Sequence, residues 1–448
     1  MQACPFASGI RAGGNPISIL DVIRGAVFNG GISFMKTRSL LPLVLSFQTL
    51  LAAEPAGLPD PLVAADGTPI TTAELWWKKR RPELLETFTR EMYGRSPGRP
   101  ETMTCEVFDR DPKALGGKAT RIQMAIRPAG DAGPRIDLLV YVPNGAKSPV
   151  PAILGLNFWG NHAVHPDPGI RLTDSWVENK RQPNADPAGV DDHKATDATR
   201  GTNASQWPVE MNLARGYAIA TMYREDIAAD REPHFASGIH PLYPEFQKPD
   251  DNFGTLAAWA WALSRGLDAL EKESSIDARR VAVFGFSRLG KAALWAGAND
   301  GRFALVISNE SGAGGAKLFR RGAGEDIKRL NSHFPHWFAR NFRKYIDKDK
   351  ELPFDQHQLI SLIAPRPVYV ASAIEDKHSD PEGEFASAKA AGKVYQLLGT
   401  EGLPCESWPE VGKSVQGGIG YHVREGKHDV LAVDWKHYLD FADKHLHD

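Results

Sequence analysis

One serine stands between a buried run and a helix start, in Val281-Ala282-Val283-Phe284-Gly285-Phe286-Ser287-Arg288-Leu289-Gly290-Lys291. An apolar strand running into a glycine-flanked serine and then a helix is the sequence form of a nucleophile elbow. Such a turn exposes Oγ and aims backbone N–H groups toward it, so nucleophilic chemistry through Ser287 is expected. The common spacing is Gly-x-Ser-x-Gly. Here Leu289 takes the place of the second glycine and Gly290 follows one position late. A serine hydroxyl needs a base to take its proton and an acid to orient that base. Candidates for both lie downstream. Glu375-Asp376 follows the apolar run 367–373, and Gly426-Lys427-His428-Asp429 precedes the last helical stretch. His428 is therefore the expected general base, while His333, His336, His357 and His422 lack that position and read as loop or core histidines.

These groups can meet only if a sheet brings its strand ends together. Short apolar, β-branched runs recur at 136–142, 150–156, 217–222, 280–284, 304–308 and 367–372. Helical patterns cover 81–93, 256–272, 290–298 and 430–446, and in the first of these Leu84, Leu85, Phe88 and Met92 share one face. Strands alternating with helices predict a mostly parallel central sheet covered on both faces, a three-layer α/β/α sandwich. Within that architecture the order Ser287, Asp376, His428 is the order of an α/β-hydrolase. Segment 158–208 is polar, rich in Asp, Pro, Gly and Asn, and weakly periodic. A connection that long is expected to be functional or mobile.

Composition bounds the partners. The chain has 448 residues, 42% hydrophobic and 24% charged, which excludes wholesale disorder and collagen-like or coiled-coil architectures. Lys plus Arg (53) nearly cancels Asp plus Glu (55), so there is no electrostatic footprint for nucleic acid or an anionic membrane. Three cysteines make no disulfide framework, and no Cys-x-x-Cys pair suggests zinc. Residues 1–34 show no periodicity and read as a gene-start artefact or a disordered leader. Met35-Lys36-Thr37-Arg38, an apolar run from Leu40 to Phe47, and Leu51-Ala52-Ala53 form a secretory signal pattern over 35–53. That run is too short for a permanent membrane anchor. The expectation is a secreted or periplasmic protein whose residues 54–448 form a single catalytic domain. The alternative is a disordered leader on a cytoplasmic protein. Export removes Cys4 and leaves Cys105 and Cys405 to pair at most once.

Further motifs accompany the elbow. Gly285-Phe286-Ser287-Arg288-Leu289-Gly290-Lys291 and Ser308-Asn309-Glu310-Ser311-Gly312-Ala313-Gly314-Gly315 resemble signatures of carbohydrate esterase family 15, the glucuronoyl esterases. So do Leu156-Asn157-Phe158-Trp159-Gly160-Asn161-His162, Phe334-Pro335-His336-Trp337-Phe338, Ile363-Ala364-Pro365-Arg366-Pro367 and Gly420-Tyr421-His422, as in bacterial members. The resemblance runs from about Glu83 to Leu446.

The resemblance implies a serine esterase with no metal and no organic cofactor. It offers two acids for the triad. The fungal Glu matches Glu310, and the later Asp of bacterial members matches Asp376. One imidazole needs one carboxylate, and the position of Asp376 after a late strand favours it, with Glu310 as partner. Glu310 also reads as a buried acid bonded to the glycine-rich turn behind it. Arg288, directly after the nucleophile, is implied to stabilise the developing oxyanion. Lys291 resembles a lysine that contacts sugar hydroxyls, its other reading being a solvated helix residue. Trp337 falls in the implied substrate-binding set, as does His378, which stands where the family usually has a Trp over the uronate. The implied partner is a glucuronoxylan or lignin–carbohydrate ester, in which (4-O-methyl-)glucuronic acid is linked to lignin alcohols. A monomer with no nucleic-acid or membrane partner is expected to cleave it. An acetyl-xylan or other carbohydrate esterase is the nearest alternative. A non-catalytic carbohydrate-binding relative is the other, and intact Ser287, Arg288 and His428 argue against it.

Overall fold

The Val-, Ile- and Leu-rich runs pair edge to edge in a ten-stranded sheet. The computed structural model describes residues 57–131, 133–147, 149–178 and 190–446, which fall within the unit Thr49–Asp448. Residues 1–34 and 35–53, expected to be a leader and a secretory signal, and Cys4 lie outside the described residues. In chain order the strands are β1 (Thr104–Lys113), β2 (Ala119–Asp131), β3 (Ile136–Pro143), β4 (Val150–Asn157) and β5 (Ala218–Tyr223). Then follow β6 (Ile276–Phe286), β7 (Leu305–Asn309), β8 (Val368–Ala373), β9 (Ser414–Gln416) and β10 (Ile419–Arg424). Across the sheet they run β1-β2-β3-β5-β4-β6-β7-β8-β10-β9. The six from β5 to β10 are parallel. The pairings of β1, β2 and β3 at one edge and of β9 at the other are antiparallel.

Every residue of β4, β5, β7, β8 and β10 is buried, as both-face coverage requires. Alternation then sorts side chains between two cores. In β4, Ala152, Leu154 and Leu156 enter one cluster while Ile153 enters the other. The first cluster is closed by α1 (Arg81–Phe88), α2 (Thr255–Leu270), α3 (Arg288–Asn299) and α4 (Pro381–Leu397). The second is closed by α5 (Ala432–Leu446), whose Trp435, Tyr438, Leu439 and Phe441 are fully buried. The fold is the expected α/β-hydrolase sandwich.

Four strands of the ten-stranded sheet and one long helix, α4, were not legible in the sequence. β1 is a charged edge strand with no buried residue. β9 spans only three residues, and β2 carries Arg121 and Gln123 among its apolar residues. In β10 the buried His422 and Arg424 interrupt the apolar pattern, and both are hydrogen-bonded to Asp434 on α5. α4 is rich in Ala and Gly at its centre, so its sequence shows no long apolar stripe. Its small surface is what lets a neighbouring backbone come close, since a Cβ at Gly402 would lie 2.7 Å from Gly392 Cα. The predicted helix over 81–93 is α1 continued by a π-turn, Thr89–Tyr93. Segment 158–208 holds short turns of 3-10 helix, including Asn161–Ala163 and Ala204–Gln206. Cys105 and Cys405 are both free thiols, so the pairing left open by the sequence is not made. Among the described residues no helix is long and apolar enough to cross a membrane.

Candidate active site

β6 ends at Phe286, α3 begins at Arg288, and Ser287 between them has φ 56° and ψ −129°. A non-glycine residue held there costs about 1–3 kcal/mol, which packing must offset. The turn is tight because α3 closes on its own strand: a Cβ at Gly285 would lie 2.0 Å from Leu289 O. The late glycine has its own reason. A Cβ at Gly290 would come within 3.0 Å of Ser311 Cβ, whereas Leu289 is buried in the core.

His428 reaches the elbow from the loop after β10. Its Nε2 is 2.8 Å from Ser287 Oγ and its Nδ1 is 2.6 Å from Asp376 Oδ2. With a carboxylate at Nδ1, that nitrogen carries the proton and Nε2 accepts from Oγ–H. Glu310 arrives from the end of β7 in another positive-φ conformation (φ 46°), with Oε2 3.2 Å from the same Nδ1. Both acids foreseen in the sequence therefore meet one imidazole. Glu310 divides its oxygens. Arg424 Nη2 donates to Oε1 at 2.6 Å, and Asp429 N donates to Oε2 at 3.1 Å. Glu310, Asp376 and His428 offer atoms within 4.8 Å of one another that could hold a cation. The Arg424 guanidinium against Glu310 opposes one there.

Burial disfavours the imidazolium, but the Asp376 and Glu310 carboxylates outweigh it and raise His428 to about 9. Burial raises Asp376 too, yet the hydrogen bond and charge of His428 prevail and bring it down to about 2. For Glu310 burial wins, pushing it up to about 7 despite His428 and Arg424. A base must be neutral to take the serine proton, so activity rises as pH climbs through the raised His428 value. The acid limb of kcat/KM is expected above the ordinary imidazole range. Glu310→Gln removes one stabilising negative charge and should move that limb to lower pH. A pH–kcat/KM profile of both forms checks this, and an unmoved or raised limb would exclude an electrostatic role for Glu310.

Arg288 supplies the first amide of α3, and its guanidinium is anchored rather than loose. Nη1 donates to Asp230 Oδ2, and the cation lies 4.8 Å from the Trp337 ring and 5.2 Å from Phe334. Asp230 also pairs by charge with Arg224, whose Nη1 is 2.7 Å from Oδ2, and accepts hydrogen bonds from His336 Nε2 at 2.9 Å and Trp337 Nε1 at 2.7 Å. Burial alone would protonate it, but the Arg288 and Arg224 charges hold it well below the usual carboxylate range. Losing an oxyanion donor outright costs about 10²–10³ in kcat. Asp230→Asn, which only frees that donor, is expected to lower kcat by about 10–100-fold with little change in KM. Steady-state kinetics on a glucuronate ester would refute this if KM alone changed.

Lys291 is 3% exposed, and burial lowers its pKa. Its Nζ donates to Ser311 O at 2.6 Å, sits 3.5 Å from Glu325 and lies 5.7 Å from the Trp337 ring, so it is not a solvated helix residue. Trp337 is 2% exposed and stacks on Phe334 at 3.7 Å, beneath Arg288. His378 is exposed, and its carbonyl accepts from Glu325 N at 3.0 Å. The remaining histidines have other partners. His336 serves Asp230, His422 pairs with Asp434, the buried His357 faces Pro59 O and the exposed His333 caps Arg329 O. Asp230 and Arg424 were missed in the sequence. A charged cluster directly after a buried parallel strand, as in Arg224-Glu225-Asp226, was the available signal.

An α/β sandwich that gathers serine, histidine and carboxylate at its strand ends, in that chain order, defines an α/β-hydrolase with a serine triad. The family model described as glucuronyl esterase of fungi matches residues 198–399. The carbohydrate esterase MZ0003, from an unknown prokaryotic organism, is 47% identical over 396 residues, covering 87% of this chain and 89% of its own. Two solved structures share the architecture. A promiscuous esterase of the same family from a marine bacterial metagenome has a TM-score of 0.81 at 46% identity, covering 87% of this chain and 96% of its own. The glucuronoyl esterase from Solibacter usitatus has a TM-score of 0.80 at 45% identity, covering 86% and 97%. The chain belongs to carbohydrate esterase family 15.

Proposed function

We propose that the protein is a carboxylic ester hydrolase that cleaves esters of glucuronic or 4-O-methylglucuronic acid. The observation that carries this reading is the hydrogen-bonded series Ser287–His428–Asp376 beside the anchored Arg288. Relatives named glucuronoyl esterase and 4-O-methyl-glucuronoyl methylesterase supply the acyl group. Ser287 Oγ gives its proton to His428 Nε2 and bonds to the C6 carbonyl carbon, while the Arg288 amide and guanidinium stabilise the oxyanion. The ester C–O bond then breaks, and Nε2 returns the proton to the leaving alcohol. Water repeats the sequence and frees the uronate. Asp376 orients and charges the imidazole, with Glu310 as its second carboxylate. Lys291, Trp337 and His378 belong to the uronate side. The natural substrate is a glucuronoxylan–lignin ester, cleaved by a monomer exported behind residues 35–53, with 54–448 as the catalytic domain.

One relative is described as promiscuous, so the test sets two acyl groups side by side. The enzyme is expected to turn over benzyl glucuronate with a higher kcat/KM than 4-nitrophenyl acetate. Outright preference for acetate would transfer the protein to the acetyl-esterase class. Turnover of neither would leave the carbohydrate-binding alternative.

A further inference from the structure

The residue before the nucleophile is a phenylalanine, and the uronate chemistry above does not use it. Phe286 is half-buried although it closes a strand whose preceding residues, Val281 to Gly285, are buried. Its ring centroid lies 4.7 Å from that of His428, at an interplanar angle of 35°. Phe158, directly after β4, meets Phe286 edge-on at 6.0 Å, and the Arg224 guanidinium lies 5.6 Å from the Phe158 ring. His428, Phe286 and Phe158 thus form a short row of packed rings, a ledge with the Arg224 cation against its far member. Leu431 and Val433, just past His428 in the chain, are among the exposed large apolar residues, at 38% and 40%.

The position of this ledge follows from proton transfer. His428 Nε2 must sit within hydrogen-bond reach of the leaving oxygen to return the proton, so the alcohol departs alongside the imidazole. A ring one carbon from that oxygen comes within the ~4.5–7 Å centroid range of favourable aromatic pairs with a ring already packed on His428. We propose that Phe286, backed by Phe158, is the specificity-determining surface for the alcohol half of the ester and selects arylmethyl alcohols over small aliphatic ones. This rests on the glucuronoyl esterase reading, and it assigns Phe286 and Phe158 to the alcohol half of the ester, for which the site described above names no residue.

The test compares benzyl and methyl glucuronate, which share their acyl group and whose alcohols have nearly equal acidity, so a difference in kcat/KM reports contacts to the alcohol. Wild type is expected to favour the benzyl ester. Phe286→Ala should cut the benzyl-to-methyl ratio about tenfold, in line with the loss of one aromatic pair and its buried area. Phe286→Tyr should preserve the ratio. Phe158→Leu, away from the elbow, should lower it about threefold and keeps the test available if Phe286→Ala does not fold. A ratio unchanged in Phe158→Leu and in any folded Phe286→Ala, with both esters still hydrolysed, overturns the ledge while leaving the esterase reading intact. Failure of wild type on both esters removes that reading and the ledge with it.

Discussion

Ser287→Ala is expected to lower kcat on benzyl glucuronate by about 10⁵–10⁶-fold, the scale of removing a triad nucleophile. The expectation rests on geometry. Oγ is the atom 2.8 Å from the base, and the elbow itself is held by contacts the substitution leaves alone. Ser287 N still donates to Asn309 O at 2.9 Å, and Gly290 N and Lys291 N still donate to Ser287 O. The His428–Asp376 bond is also untouched. The thermal midpoint should therefore stay within about 2–4 °C of wild type, the shift expected from a change of about 1 kcal/mol. Uronate binding, measured by calorimetry with glucuronic acid, should persist. Near-normal turnover by the variant would exclude a serine mechanism, and a collapsed thermal midpoint would show that Oγ is structural.

Asp376→Asn should cost about 10⁴ in kcat, the scale seen when a triad histidine is left in the wrong tautomer. Glu310→Gln should cost much less. Both carboxylates reach Nδ1, and three differences separate them. Asp376 is nearer, at 2.6 Å against 3.2 Å. The hydrogen bond and charge of His428 overcome burial at Asp376 and bring it down to about 2, whereas burial prevails at Glu310 and pushes it up to about 7. Glu310 also commits its Oε1 to Arg424, which donates to Asp434, Asp429 O and Glu425 O as well and so ties the His428 loop to the sheet. In this arrangement Asp376 orients the base and Glu310 adds charge and anchors the loop. A larger loss at Glu310 than at Asp376 would reverse the assignment. Small, equal single losses with a severe double variant would mean that the two acids replace each other.

The legible parts of this protein are those set by short stretches of chain. The elbow is local: an apolar strand, Gly285, Ser287 and a helix start specify a turn within a few residues, so its existence follows from the sequence alone. Most of the parallel strands and long helices follow from patterns a dozen residues wide, β10 and α4 excepted, and chain order pointed to Asp376 and His428 as partners of the serine. What no local pattern carries is which charges pair across the sheet. Asp230 holds Arg288 from 58 residues away, and Arg424 reaches Glu310 across 114. Both pairs span one intervening strand, β4 between β5 and β6 and β8 between β7 and β10, because parallel strands far apart in sequence end on one edge of the sheet, and a charge buried there needs an opposite partner. The burial of Lys291 against Ser311 O, the partition between two carboxylates and the ledge at Phe286 depend on distances of a few tenths of an ångström to a few ångströms. Residue type and spacing along the chain carry no such distances, so only the packed structure decided them.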